Sequence, residues 1–118
     1  MGVKVGDLFH DGCEYYQAVA VTAKTVTVRQ IKSEKVRDGQ VRTAFDYDIV
    51  MRPLRNEFTR CIYFNDKQNE HGRRCKMQPM TNDPDGPVQI LLSNAYGPWA
   101  RAYQLVDGDE VTVERNWG

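Results

Sequence analysis

The chain is poor in the groups that enzymes tune. Its 118 residues include two serines (Ser33, Ser93), two histidines (His10, His71) and three cysteines (Cys13, Cys61, Cys75). Neither serine lies in a Gly-x-Ser-x-Gly elbow, and neither a Gly-x-Gly-x-x-Gly nor a Walker-type phosphate loop is present. Three irregularly spaced cysteines make no disulfide framework. Structural zinc favours paired cysteines two to four residues apart; here only His71-x-x-x-Cys75 offers a poor half-site, and Cys61 sits in an apolar stretch where a thiol acts as a small core group. The chain therefore reads as non-enzymatic, with no catalytic residue, no cofactor and no metal ligand. It has no apolar run approaching the ~18 residues that a membrane-spanning helix needs. Residues Met1 to Gly6 lack the apolar centre of a secretory signal, and Gly6 stands where a myristoylation motif wants Ser or Thr. With so few cysteines, the expected compartment is a reducing cytoplasm. Net charge is missing as well: 16 Lys and Arg balance 16 Asp and Glu. That excludes a histone-like binder.

What is present is turn chemistry and alternation. The length fits one domain spanning 1–118. Asp-Gly occurs four times, at Asp11-Gly12, Asp38-Gly39, Asp85-Gly86 and Asp107-Gly108, and suits tight turns between short strands. Tyr15–Val21 and Thr25–Ile31 alternate with period two and are predicted to form a hairpin, with Val19, Val21, Val26 and Val28 inward. Further strands are predicted over Val3–Phe9, Asp48–Arg52 (ending before Pro53), Phe58–Phe64, Cys75–Met80, Val88–Leu92 and Glu110–Glu114. A small hairpin is expected around Asp38-Gly39, and 65–74 reads as a polar exposed loop. Leu92, Tyr96, Trp99, Tyr103 and Val106 recur at helical spacing. The pattern favours a short helix from Pro98 to about Val106, since proline suits a first helical turn. The rival reading makes Ala102–Val106 a strand paired with Glu110–Glu114. The fold class is mainly β, a small antiparallel partly open barrel with one short helix near 98–106.

Charge is segregated along the chain. Residues 29–76 carry twelve Lys and Arg against seven Asp and Glu, a local +5, while 1–28 sum to −1 and 77–118 to −4. A basic middle suits phosphates, and exposed rings suit bases. The candidate contacts are Arg29, Arg52, Arg55, Arg60, Arg73 and Arg74, with Tyr15, Tyr16 and Trp99 as stacking rings. Arginines and aromatics are also interface anchors, so the same residues serve protein docking.

Val5-Gly6-Asp7-Leu8-Phe9, then Tyr16-Gln17-Ala18-Val19, then Val21-Thr22-Ala23-Lys24-Thr25-Val26-Thr27-Val28-Arg29-Gln30-Ile31 resemble a group of small proteins encoded by phages and other bacterial mobile elements. There, a V-G-D-I-F opening leads to Y-Q-V-V and T-A-K-T-V-T-V-R. Near the end, Tyr103 to Gly108 is similar to an L-W-D-G element, with Val106 where the tryptophan would stand. The resemblance covers about the first 30 residues and implies an SH3-like β-domain in a bacterial host cytoplasm. It carries over no catalytic residue. It also implies binding to a host protein or nucleoprotein complex, including inhibition of a defence nuclease. Direct nucleic-acid binding through the basic middle is the alternative.

Overall fold

A computed structural model describes residues 2–93 and 100–116. The strands are β1 (Leu8–His10), β2 (Tyr15–Val21), β3 (Thr25–Val41), β4 (Asp46–Phe58), β5 (Arg73–Pro79), β6 (Val88–Ser93), β7 (Ala100–Gln104) and β8 (Val111–Asn116), with one helix, α1 (Asp66–His71), between β4 and β5. They form one antiparallel sheet in the order β2-β1-β7-β6-β5-β3-β4-β8, and an added β2–β3 pairing bends it into a ring. The fold is therefore mainly β with one short helix, ring-like rather than a regular barrel.

The first half of β3 is shared. Its residues Thr25–Val28 pair with β5 on one edge, while Val26–Ile31 pair with β2 on the other. Beyond Ile31 the strand leaves the ring and pairs with β4, which pairs with β8 in turn. These three strands make an arm, and the two cores lie on either side of the junction. Phe9, Tyr16, Ala18, Val26, Val28, Cys75, Ile90, Leu92 and Ala102 fill the ring. Leu8, Tyr15 and Ile31 pack with Met51, Phe58, Leu105 and Val111 against the arm. Neighbouring residues of a strand point to opposite faces, so Leu8 and Phe9, and Tyr15 and Tyr16, supply the two cores in turn. Val26 and Val28 are inward as the alternation requires. In β2 a register shift between Ala18 and Ala20 breaks the phase. Ala18 is buried and Val19 is only half-buried.

Four sequence expectations are corrected. Asp38-Gly39 is not a turn: β3 runs through it, with register shifts on either side. The hairpin closes instead at Thr43, whose hydroxyl accepts from the Phe45 and Asp46 amides at 3.2 and 3.0 Å. Gly39 answers a different need, because a Cβ there would lie 2.7 Å from Asp48 Cβ. β4 continues past Pro53, which faces Ser33 next to a register shift, a place where a missing N–H is tolerated. Phe58–Phe64 is not a strand, since Phe58 ends β4 and a turn closes with the Phe64 amide donating to Cys61 O at 3.2 Å. The expected loop at 65–74 contains α1, started by Asn65, whose Oδ1 accepts from the Gln68 amide at 2.9 Å.

The helix expected over 98–106 is the main correction. Pro98 and Trp99 lie outside the described residues, and Ala100–Gln104 is strand β7. Both of its edges are paired, with β1 and β6. That pairing satisfies the backbone and outweighs a side-chain spacing that happened to match a helix. Ala102 is buried while Tyr103 and Val106 are 43% and 59% exposed. The rival hairpin does not form either, because β8 pairs with β4.

Candidate functional site

The basic middle does not gather on one surface. Arg52 pairs with Glu34 on the arm, and Arg60 pairs with Asp66 at the start of α1. Arg55 donates to Gly6 O at 2.6 Å and lies 3.3 Å from Asp109 Oδ2. Arg37 meets Glu110 at 2.6 Å, and Arg42 meets Asp48 at 3.2 Å and Glu114 at 3.6 Å. The acidic tail of the sequence thus folds back onto its basic middle. Apart from Arg42 with the buried Asp48, these are exposed pairs that add little stability, but all of them commit the cations.

Tyr16 is fully buried, so neither face of its ring can take a base. Its hydroxyl donates to Asp11 Oδ2 at 2.9 Å and accepts from the Cys61 thiol at 3.8 Å. Asp11 Oδ1 accepts from the Cys13 and Glu14 amides at 2.8 and 2.7 Å, so this carboxylate is spent on the β1–β2 turn. Tyr15 is buried in the second core. Trp99 lies outside the described residues. Burial pushes the Cys61 thiol up and the Cys75 thiol to about 11, so both stay protonated at neutral pH and are poor nucleophiles. His71 is at the exposed end of α1, and among the described residues no three His, Cys, Asp or Glu are placed to hold a metal.

Arg29 lies over the Phe58 ring, 4.2 Å from its centroid, with Nε buried and unpartnered. It borders an open cleft of about 430 Å³ shared with Arg60, Asp66, Asn69 and Glu70. Two carboxylates there make the cleft electrostatically mixed. Arg73 stands opposite Val28 with the same strand phase as buried Cys75 and Met77, so it belongs to the inner side of β5.

Arg74 is different. It is exposed on the outer side of β5, and the same phase brings Lys76 and Gln78 beside it. Across the register, Gln78 faces Gln89, Gln89 faces Tyr103, and Leu91 faces Arg101. The described outward residues of β5, β6 and β7 are therefore Arg74, Lys76, Gln78, Gln89, Leu91, Arg101 and Tyr103, with no carboxylate among them. Arg74 and Lys76 have no ion-pair partner among the described residues, and Arg101 Nη1 donates to Gln78 Oε1 at 2.9 Å. Lys24 lies in the neighbouring β2–β3 turn, whose carbonyl accepts from the Met77 amide at 3.2 Å. Of the residues picked out from the sequence, only Arg74 is on this face. Lys76, Gln78, Gln89, Arg101 and Tyr103 were missed, although Arg74-x-Lys76-x-Gln78 and Arg101-x-Tyr103 carry the period-two signal of one strand face.

His10 gives a pH-dependent handle on the fold beside this face. It is buried, its ring meets Tyr15 edge-on at 4.6 Å, and Nδ1 accepts from the Gly12 amide at 2.9 Å. The ring is therefore neutral with its proton on Nε2. Burial lowers its pKa below 6.5, outweighing the opposite pull of Asp11. The unfolded chain then takes up this proton first, so stability is lost as pH falls below about 6.5. Glu14, whose carboxyl is raised by burial and by Asp11, acts in the opposite sense at lower pH. The expected result is a smaller loss in melting temperature from pH 7.5 to 5 for His10→Gln than for wild type, read by circular dichroism. Parallel curves for the two proteins would contradict it.

Fold and site together define a small antiparallel β-ring with an arm on one side and a carboxylate-free basic face on the other. Comparison with protein-family models, with curated proteins and with solved structures finds no match to this chain.

Proposed function

We propose that this chain is a non-enzymatic binding protein that contacts nucleic acid through the outer face of β5, β6 and β7. The observation that carries the reading is that Arg74 and Lys76 on β5 and Arg101 on β7 flank β6, with no carboxylate among the described outward residues of the three strands. Arg37, Arg42, Arg52, Arg55 and Arg60 are held by Glu or Asp, whereas Arg74 and Lys76 have no ion-pair partner among the described residues and Arg101 meets only the neutral Gln78 amide. Phosphates accept from unpaired cations, and two amides and a phenol among them add hydrogen-bonding groups. Neutral net charge gives no long-range steering, so affinity must come from this local contact. With the N-terminal resemblance, the setting we propose is a phage or mobile-element protein in a bacterial cytoplasm. Its target there is nucleic acid, free or within a host nucleoprotein complex such as a defence nuclease.

The test is a mobility-shift titration of the full chain against a labelled oligonucleotide at about 50 mM salt. Arg74→Glu/Lys76→Glu is expected to weaken binding at least about tenfold, and Arg52→Ala/Arg60→Ala by less than about twofold. Wild-type protein that does not bind, or a charge-reversed variant that binds as wild type does, overturns the proposal.

A further inference from the structure

We infer that the basic face takes single-stranded rather than duplex nucleic acid, with an unpaired base stacked on Tyr103 and phosphates on Arg74, Lys76 and Arg101. This rests on the reading of the face as a nucleic-acid contact. Three features separate the two ligands. First, Tyr103 is a large ring left 43% exposed on a strand whose alternate residue, Ala102, fills the core. Its hydroxyl has no partner among the described residues. Every base offers a π-face to such a ring, but only when it is unstacked from its neighbours.

Second, Gln78, Gln89 and Tyr103 form one row across three adjacent strands, each about 5 Å from the next. Gln78 Oε1 is taken by Arg101 at 2.9 Å. The side-chain nitrogen of Gln78 has no partner among the described residues and keeps two protons to donate. Donors beside a stacking ring match the Watson–Crick edges of bases, which are free in a single strand and hidden in a duplex.

Third, the charge is small. Three cations neutralise about three phosphates, which leaves most of the affinity to non-ionic contacts. A duplex offers those contacts only in its grooves, which admit a helix or a projecting two-stranded ribbon. The central strands here have neighbours on both sides, so they present side chains over a broad face. The described helix α1 is six residues long and lines the cleft beside Arg29.

The experiment is fluorescence anisotropy of the full chain with an oligonucleotide of about 12 nucleotides and with the same sequence as a duplex, at about 50 mM salt. The single strand is expected to bind about tenfold tighter or better. Tyr103→Leu is expected to lose about tenfold on the single strand, with duplex binding unchanged, whereas Tyr103→Phe retains wild-type affinity because the ring remains. Unfolding curves of both variants establish that they fold. Duplex binding equal to or tighter than single-strand binding, or unchanged affinity in Tyr103→Leu, overturns this inference and leaves the nucleic-acid face standing. Absence of binding to either overturns both. Competition by poly-glutamate as strong as by the oligonucleotide overturns both in favour of an acidic protein.

Discussion

Tyr15→Ala is expected to cost about 3–5 kcal/mol of folding stability, the usual penalty for emptying a large aromatic site in a core. Tyr15 is fully buried among Leu8 and Ile31, with Met51, Phe58, Leu105 and Val111 closing around it. It is the piece that joins ring and arm. Its hydroxyl lies 2.9 Å from Met51 O on β4 and 2.7 Å from Asp109 O in the β7–β8 connection. A domain of this size has about 5–15 kcal/mol in total, so the variant should unfold at far lower urea concentration. Tyr15→Phe keeps the ring and removes one donor shared between two part-buried carbonyls, at about 1 kcal/mol. Burial pushes the phenol up to about 12. The unfolded chain ionises first, so wild-type stability is expected to fall as pH rises from about 10 towards 12. Urea melts that place Tyr15→Ala within about 1 kcal/mol of wild type would contradict the two-core description.

Gly72→Ala is expected to cost about 2–4 kcal/mol, combining backbone strain with overpacking. Gly72 ends α1 with φ 90° and ψ 169°, a region that residues with a Cβ rarely enter. An added Cβ would lie 2.9 Å from Thr27 Cγ2, 3.0 Å from Val28 O and 3.1 Å from Arg29 Cγ. One of these is backbone inside the ring and cannot swing away. The residue also sets the start of β5, and so the phase that sends Arg74 and Lys76 outward. Chemical denaturation measures the loss; a Gly72→Ala protein as stable as wild type would show that α1 can shift without strain.

The parts of the fold legible in the sequence are those with one simple environment. Thr25–Ile31 reads correctly because Val26 and Val28 face a core and their neighbours do not. Tyr15–Val21 reads as a strand, but the tyrosines mislead. Adjacent buried rings break alternation because β2 is covered on both faces, and a ring suited to stacking looks the same in sequence when it is core. Asp38-Gly39 misleads in another way. Glycine serves close approach to Asp48 there, and turn chemistry cannot distinguish the two uses. Helix α1 buries no residue, so it leaves no hydrophobic period to find; only the Asn65 cap marks it. Residues 98–106 look helical because Leu92 and Tyr103, on different strands, happen to fall on one helical stripe.

The site was harder for an electrostatic reason. Summing charge over 29–76 finds a basic segment, yet partners for much of it come from Asp109, Glu110 and Glu114, more than fifty residues away for each pair. The surface that stays basic is assembled from β5 and β7, and Arg101 comes from a stretch whose sum is acidic. Strand phase, not segment charge, is the signal that locates it.

The proposed contact of Arg74, Lys76 and Arg101 with phosphates is tested most directly by the salt dependence of binding. For three contacts to a single strand, log K against log salt concentration is expected to fall with a slope of about −2, and Arg101→Ala to bring it to about −1.4. A slope near zero, or one that Arg101→Ala leaves unchanged, would contradict the claim.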